Sequence, residues 1–516
     1  MSGAALRDRV KTAAEAVVLG LCAFVPFRAP IGDLLGEWTK LIPDLAVIAL
    51  FTLWLVSIRF RIRFRTEDIF FAAFILFGAI STVAVNGVGL YRFIYQCRSV
   101  GLYYLLYVVL RQLGLGREVG RKALRVLQWV SWVLCGFGLI ERLCSKTVLF
   151  DPAFALSIYS FENIGRVYSL LYNPNTYGLF LVFVLTLSLY YRTEGVKTSL
   201  AVYIQLAVML WLTMSRSSMI AAVAVVVFFG LILWKQVLRN WKRLLPRIAA
   251  IVLSVTAVSA LLPMAAEAYY FSVAQKALEG EYVRTLSPEV TEVSYTAADG
   301  TERIGYRFNG VTYADARCVV PLRAAGTVIH LPEGDVTLPV EQNKTREKWF
   351  FSNLIYRSFG VDISVRLSEL TRPEIYQKST GAGRIFSILT AFKIAKAHPL
   401  TGTGFGTYGS AASTDWVPPT YGQYGLWNGF YADCQYASVL GETGFVGLAI
   451  FLGFLLAVLW RVRRDVFSVL LCFITAWFGI FFNIMEVQIC TLPLWSLLAL
   501  RQDEPRGIGD MQAFNP

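Results

Sequence analysis

Residues 43–65 read PDLAVIALFTLWLVSIRFRIRFR. The first two thirds of this stretch is apolar, and a helix of about 20 apolar residues spans a bilayer core of about 30 Å. The remainder places an arginine at every second position from 59 to 65. Loops on the cytoplasmic side of a membrane are enriched in Lys and Arg. The stretch therefore predicts a membrane-spanning helix whose carboxyl end lies at the cytoplasmic face.

The composition agrees with a chain that crosses a membrane many times. Of its 516 residues, 56% are hydrophobic and 16% are charged, whereas about 25% are charged in a typical soluble domain. This balance excludes an intrinsically disordered chain, a disulfide-rich secreted domain and a nucleic-acid-binding protein, so we expect no nucleic-acid partner. Because the only histidines are His330 and His398, a His-rich metal site is also excluded.

Further apolar runs predict an all-α polytopic membrane protein with about twelve transmembrane helices. They centre on residues 13–31, 43–60, 68–86, 97–112, 126–143, 175–191, 198–214, 218–234, 248–265, 444–460, 466–484 and 487–500. Basic residues on alternate loops outnumber those on the opposite short loops by about three to one, which predicts that both termini are cytoplasmic. The first run lacks a small-residue cleavage site, so we expect it to remain as a span in the cell membrane.

This layout divides the chain into three parts. Residues 1–265 supply the first nine helices, residues 266–443 form a large extracytoplasmic loop, and residues 444–516 supply the last three helices and a cytoplasmic tail. Within the loop, residues 281–345 alternate polar with β-branched or aromatic residues and contain Asp-Gly and Asn-Gly turns, which predicts a small β insert. Residues 347–441 are expected to be helical and to carry the chemistry.

The loop contains the sequence GRIFSILTAFKIAKAHP, in which Ile385, Ile388, Leu389 and Phe392 recur at helical spacing. This pattern predicts a helix on the membrane surface that begins near Arg384. The glycine-rich run TGTGFGTYG at residues 401–409 follows. Its backbone amides could surround a phosphate, but a flexible turn is the simpler interpretation, since no strand precedes it and the P-loop lysine is missing.

Charged residues are rare in the middle of the predicted spans and concentrate at their outer ends. Arg216 follows Ser215 in the short hairpin TMSRSS and is either an interfacial arginine or a ligand for an anion. Arg166 lies on an outer loop before the Asn-Pro-Asn turn that contains Asn175, and such a loop residue is often only solvated. Arg384 does not suit a helix amino terminus by itself, whereas a bound anion there would be favoured.

Asp433 and Glu442, which flank the last outer helix, and His398 are the candidate acid–base groups. Asp433 is the best-placed candidate base, although a helix cap or a solvated carboxylate is an equal alternative. Glu442 is expected to be structural more readily than functional. His398 precedes Pro399, where it either caps the helix or takes part in catalysis.

Four motifs together resemble the O-antigen ligase and polymerase superfamily. They occur in the family's order within a chain of about twelve spans, and the resemblance covers residues 13–500 apart from the β insert. The motifs are RVYSLLYNPNTYG, TMSRSS, GRIFSILTAFKIAKAHPLTGTGFGTYG and DCQYASVLGETGFVGL.

The resemblance implies a GT-C-like membrane glycosyltransferase of cell-surface polysaccharide biosynthesis, acting without a nucleotide, cofactor or metal. Such enzymes pass a glycan from an undecaprenyl-diphosphate carrier to the hydroxyl of a polysaccharide or lipid acceptor, outside the cytoplasmic membrane. Carried over by motif, Arg166, Arg216 and Arg384 would face the donor diphosphate and Asp433 would be the base of an inverting transfer. The resemblance thus implies an arginine near Asp433 that would hold the pKa of its carboxyl low. The implied substrate-binding residues also include Asn175, Ser215, His398 and Glu442.

One position departs from the pattern of ligases that modify lipopolysaccharide core. Those enzymes usually have His-Asn where this chain has Asp433 and Cys434. The aspartate is similar to polymerase-type members, which favours chain polymerisation or a non-core acceptor. Two other classes stay open, namely a transporter or flippase of lipid-linked sugars, and a membrane sensor whose β insert binds a ligand. The scarcity of mid-span charges weighs against an ion-coupled transporter.

Overall fold

A computed structural model describes residues 3–144, 166–278, 291–308, 311–313, 322, 326–332, 334–337, 384–413, 416–426 and 429–501. The described part of the chain is mostly α-helical. Its helices are α1 (Gly3–Phe24), α2 (Arg28–Leu35), α3 (Ile42–Ser57), α4 (Thr66–Ala79), α5 (Leu90–Leu113), α6 (Arg117–Cys144), α7 (Pro174–Thr193), α8 (Leu200–Thr213), α9 (Arg216–Ile232), α10 (Trp234–Arg239), α11 (Trp241–Leu278), α12 (Arg384–Ala397), α13 (Pro419–Tyr424), α14 (Gln435–Val462), α15 (Val466–Gly479) and α16 (Gln488–Arg501).

A helix occupies each of the twelve positions predicted from the apolar runs. Seven helical segments in the described residues are long and apolar enough to cross a membrane, and four shorter helices (α8, α9, α15 and α16) are also apolar. The seven are Leu6–Leu35, Glu37–Ser57, Thr66–Val85, Leu90–Leu113, Arg117–Leu143, Trp241–Leu262 and Gln435–Val462. These helices agree with a protein that passes through a membrane several times.

Helices α4 and α14 pack closely and run antiparallel. Phe70, near the start of α4, lies against Gly453, and Phe77, near its end, lies against Gly447. At both glycines the partner ring occupies space near a Cβ atom, so the missing side chain lets the helices approach. Consequently the start of α4 and the carboxyl end of α14 lie at the same end of the bundle.

That end is lined by the basic connections, and we call it the basic end. The guanidinium of Arg111, near the end of α5, pairs with Glu67 and Asp68 at the start of α4, and all three side chains are buried. Nearby, Lys122 at the start of α6 pairs at 2.6 Å with Glu15 of α1. These ion pairs connect α5 to α4 and α6 to α1 near the end that carries the basic connections.

The opposite end, the loop end, carries the region before α14. There the hydroxyl of Ser81 donates to the carbonyl oxygen of Thr401 at 2.6 Å. The side-chain amide of Asn86 donates to the carbonyl oxygen of Gly402 at 3.2 Å. Arg92, at the start of α5, donates to the carbonyl oxygen of Ala412 at 3.1 Å. The glycine-rich run is therefore attached directly to the transmembrane bundle.

The predicted β insert is present as a five-stranded antiparallel sheet with the order β3-β2-β1-β4-β5. Its strands are β1 (Thr291–Thr296), β2 (Glu302–Phe308), β3 (Val311–Tyr313), β4 (Val328–His330) and β5 (Val336–Thr337). The turn between β1 and β2 is the predicted Asp-Gly: Gly300 has φ +80°, and the Asp299 carboxylate accepts from the amide of Thr301 at 3.0 Å. The Asn-Gly pair between β2 and β3 lies outside the described residues.

Helix α12 begins at Arg384, as the sequence predicts. It packs on α14 through a face of mainly small residues, namely Ser387, Thr390, Ala391, Ile394 and Ala395. Ile385, Leu389 and Phe392 stay exposed by 39%, 46% and 52%, and Ile388 is half-buried. The exposed apolar face agrees with a helix on a membrane surface. Residues 347–383 of the predicted helical part lie outside the described residues.

Candidate functional site

The α8–α9 hairpin and the start of α7 bring three predicted site residues together. Only two residues separate α8 from α9, and Met214 makes this tight connection with φ +51°. The Asn175 side-chain oxygen accepts from Arg166 at 3.2 Å and from the Ser215 hydroxyl at 2.9 Å. Arg166 also donates to the carbonyl oxygen of Thr213 at 3.1 Å. Arg166, Asn175 and Ser215 therefore form one hydrogen-bonded network.

The side chain of Glu141 holds the segment that carries Arg166 in place. This carboxylate lies in α6, is buried, and accepts from the backbone amides of Tyr168 at 2.9 Å and Ser169 at 2.6 Å. Val167 completes the attachment by donating its amide to the carbonyl oxygen of Leu212 at 3.0 Å. A buried carboxylate that accepts backbone amides fixes the path of the chain, because breaking these bonds would leave it uncompensated.

Arg216 is exposed at the first position of α9. The carbonyl oxygen of the next residue, Ser217, accepts from the indole of Trp477 at 3.2 Å. Trp477 in turn packs edge-on against Phe481, with ring centroids 5.0 Å apart. The end of α15 thus connects the arginine hairpin to the region around α12.

Arg384 also contacts Phe481. Its guanidinium carbon is 5.2 Å from the Phe481 ring centroid, and its Nε donates to the Phe481 carbonyl oxygen at 3.4 Å. Arg384 is also close enough to Asp433 to stabilise the charge of that carboxylate. A continuous line of contacts therefore runs from Arg166 through the hairpin and α15 to Arg384 and Asp433.

Asp433 has an exposed surface, yet the protein around it raises the pKa of its carboxyl above the ordinary value. Burial is the larger cause, since it penalises the charged form, and the positive charge of Arg384 only partly offsets it. The expectation that a neighbouring arginine would hold this pKa low is wrong, because it omitted desolvation. A raised pKa makes the carboxylate a stronger base.

The glycine-rich run surrounds a carboxylate of the protein itself. Oε1 of Glu442 accepts from the amides of Gly406, Thr407 and Tyr408 at 2.9, 3.2 and 3.2 Å, and from the hydroxyl of Ser410 at 2.6 Å. The Glu442 residue is only 1% exposed. These contacts give Glu442 a structural task, and its predicted contact with substrate stays a prediction.

A break in α14 makes room for this run. Gly444 has φ +64° and ψ −167°, and this non-helical residue separates the short first part of α14 from its long apolar part. The freed carbonyl oxygens of Gly441 and Glu442 accept from the amides of Thr403 at 3.1 Å and Gly404 at 2.8 Å. A Cβ at Gly444 would lie 2.7 Å from the carbonyl oxygen of Pro399, so glycine is required both by conformation and by space.

Glu486 is a candidate that the sequence analysis missed. It lies between α15 and α16, where its carboxylate accepts from Gln96 at 2.6 Å, the amide of Ala411 at 2.8 Å and the Tyr431 hydroxyl at 3.2 Å. Burial raises the pKa of Glu486 to about 7. This glutamate connects α5, the glycine-rich region and the segment that carries Asp433.

Sequence signals for these supporting residues are weak. Glu141 and Glu486 are isolated carboxylates beside apolar segments, and this mismatch is the one signal that could have singled them out. Trp477 and Phe481 had none, since aromatic residues are common in apolar helices. The predicted candidate His398 is half-buried just after α12, and its carbonyl oxygen accepts from the amide of Gly402 at 3.0 Å.

Neither protein-family models nor curated proteins match the chain in comparison searches. The resemblance to the O-antigen ligase and polymerase superfamily therefore continues to rest on the four motifs and their order.

Glu442→Ala should lower the free energy of unfolding by about 3 kcal/mol, because it leaves buried amides and a hydroxyl without their acceptor. Glu442→Gln should cost less, since its amide oxygen can still accept. The measurement is equilibrium unfolding of the purified protein in detergent, with Glu118→Ala as a control at a side chain that is 60% exposed. Equal stability of Glu442→Ala and the control would contradict the structural task of Glu442.

Proposed function

We propose that the protein is a membrane glycosyltransferase of the O-antigen ligase and polymerase type. It takes a glycan from an undecaprenyl-diphosphate carrier and passes it to an acceptor hydroxyl. The observation that carries the proposal is the proximity of Arg384 to Asp433 at the loop end, with contacts from Arg384 through Phe481 and Trp477 to the hairpin of Arg216. Exposed guanidiniums beside a carboxylate of raised pKa suit a reaction that releases a diphosphate and needs a base.

The transfer is a single displacement at the anomeric carbon of the donor. The acceptor oxygen attacks from the face opposite the diphosphate, its proton passes to Asp433, and the bond to the diphosphate breaks with its electron pair leaving on the phosphate oxygen. The configuration at that carbon inverts. Arg216 and Arg384 stabilise the growing charge, and one such donor in a preorganised site contributes about 3 kcal/mol.

Arg166, Asn175 and Ser215 have a positioning and binding role in this scheme. The hydrogen bonds from Arg166 and Ser215 to Asn175 fix the α8–α9 hairpin, in which Arg216 directly follows Ser215. A fixed arginine loses little conformational entropy when an anion binds, which favours a planar bidentate contact with phosphate oxygens. His398 and Glu442 complete the predicted substrate region.

The proposal includes a twelve-span, GT-C-like arrangement in the cytoplasmic membrane, with both termini inside and the loop end outside. The bias of basic residues toward the other end supports this orientation. Asp433, in place of the His-Asn of core ligases, favours a polymerase or a ligase with a non-core acceptor.

Arg216→Ala and Arg384→Ala should each reduce glycan transfer by at least about 100-fold, because each removes one charge-stabilising donor. The measurement is polymer or conjugate formation in cells, normalised to protein abundance in the membrane. Lys396→Ala is the matched control, since it removes an exposed cation from the other end of α12. Full activity in both arginine variants would refute their role.

Transfer should decline as the pH is lowered, with a midpoint above that of an ordinary aspartate. The reason is that Asp433 accepts a proton only when it is ionised, and its pKa is raised by burial. The initial rate of the purified enzyme between pH 5 and pH 8 measures this, and Asp433→Asn should lose activity at every pH. If the Asp433→Asn enzyme is active and its rate still falls as the pH is lowered, another residue is the base.

Purified protein in detergent should lengthen or transfer glycan when it is given a lipid-linked oligosaccharide and an acceptor. Detergent micelles have no second compartment, so a transporter or flippase would give no product there. Gel or mass-spectrometric detection of the product separates the two classes. Lack of product from active, folded enzyme with several donors would favour transport.

A further inference from the structure

An unusual concentration of arginines lies at the basic end, where two connections meet. One connection joins α3 to α4 and the other joins α14 to α15, and the antiparallel packing of α4 on α14 brings them together. Their arginines are Arg59, Arg61, Arg63, Arg65, Arg461, Arg463 and Arg464. We call this group the arginine corner.

The acidic residues that the structure describes near the corner are buried and have partners of their own. Glu67 and Asp68 are 2% and 6% exposed and both are paired with Arg111. Asp465 is 3% exposed and accepts from the amide and hydroxyl of Ser468 at 3.0 and 2.6 Å. All three carboxylates point into the protein, so the positive charge of the corner faces outward.

Two arginines of the corner, Arg59 and Arg61, are exposed and have no acidic partner within the described part of the chain. Burial lowers the pKa of Arg65, and the positive charge of nearby Arg461 lowers it further. Positive charges held this close together favour the binding of an anion from outside the protein.

Large apolar side chains alternate with these arginines. Phe60 and Phe64 are each 70% exposed and Trp460 is 68% exposed, while the guanidinium of Arg463 stacks 3.8 Å above the Trp460 ring. Exposed aromatic rings among cations would be unfavourable in water, but they suit the boundary between headgroups and acyl chains. The corner lies where two helices of membrane-spanning length, Thr66–Val85 and Gln435–Val462, meet the polar region.

We propose that the arginine corner is a binding site for an anionic phospholipid. The arginines pair with the phosphodiester of the headgroup, and Phe60, Phe64 and Trp460 pack against the upper acyl chains. The site is separate from the proposed transfer chemistry, which lies at the opposite end. A free phosphate shares the charge of this ligand but offers nothing to the aromatic rings.

Native mass spectrometry of the purified full chain, titrated with phosphatidylglycerol, tests the proposal. Phosphatidylglycerol should bind more tightly than phosphatidylcholine, and Arg59→Gln with Arg61→Gln should weaken it by about fivefold for each arginine removed. Arg59→Lys with Arg61→Lys should retain most of the affinity, since the charge remains. Arg303→Gln with Arg307→Gln, on the β insert, removes the same charge elsewhere and should change nothing.

Three results would overturn the proposal. They are equal binding of phosphatidylglycerol and phosphatidylcholine by the natural protein, unchanged affinity in the Arg59→Gln and Arg61→Gln variant, and displacement of the lipid by an equal concentration of inorganic phosphate. A further variant, Phe60→Ser with Phe64→Ser, should weaken lipid binding without altering the weak binding of phosphate. The comparison of the two lipids uses unaltered protein, so it decides the question even if a variant does not fold.

Discussion

The loop end depends on buried carboxylates that accept hydrogen bonds from backbone amides. Glu141 fixes the segment of Arg166, Glu442 fixes the glycine-rich run, and Glu486 connects that run to the segment of Asp433. In an apolar bundle a carboxylate is stable only if donors surround it, and backbone amides satisfy it without adding a competing positive charge. Arg216 and Arg384, which the proposed function places against the diphosphate, are exposed.

The sequence predicts most of the architecture because hydrophobic length and periodicity are local properties. The apolar runs give the helix positions, and the start of α12 at Arg384 and the β insert follow from patterns within a few residues. The seven long apolar helices agree with a membrane protein of several spans and leave the number of spans a prediction.

The support of the site could not be predicted in the same way, because it depends on contacts between distant parts of the chain. Glu141 meets residues that follow it by 27 and 28 positions, and Gln96 meets Glu486 across 390 positions. The pKa of Asp433 shows the same limit: a neighbouring cation is evident from a motif, whereas the degree of burial is not, and burial is the larger effect here. The sequence favours a flexible turn over a phosphate cradle for the glycine-rich run, whereas in the structure its amides surround the carboxylate of Glu442.

The most direct test is a structure of the protein with a bound polyprenyl diphosphate. The proposed function predicts phosphate oxygens within about 3 Å of the guanidiniums of Arg216 and Arg384, with the Asp433 carboxylate facing the carbon that would carry the sugar. Binding of the diphosphate at the basic end, or at the loop end without contact to either arginine, would contradict the account.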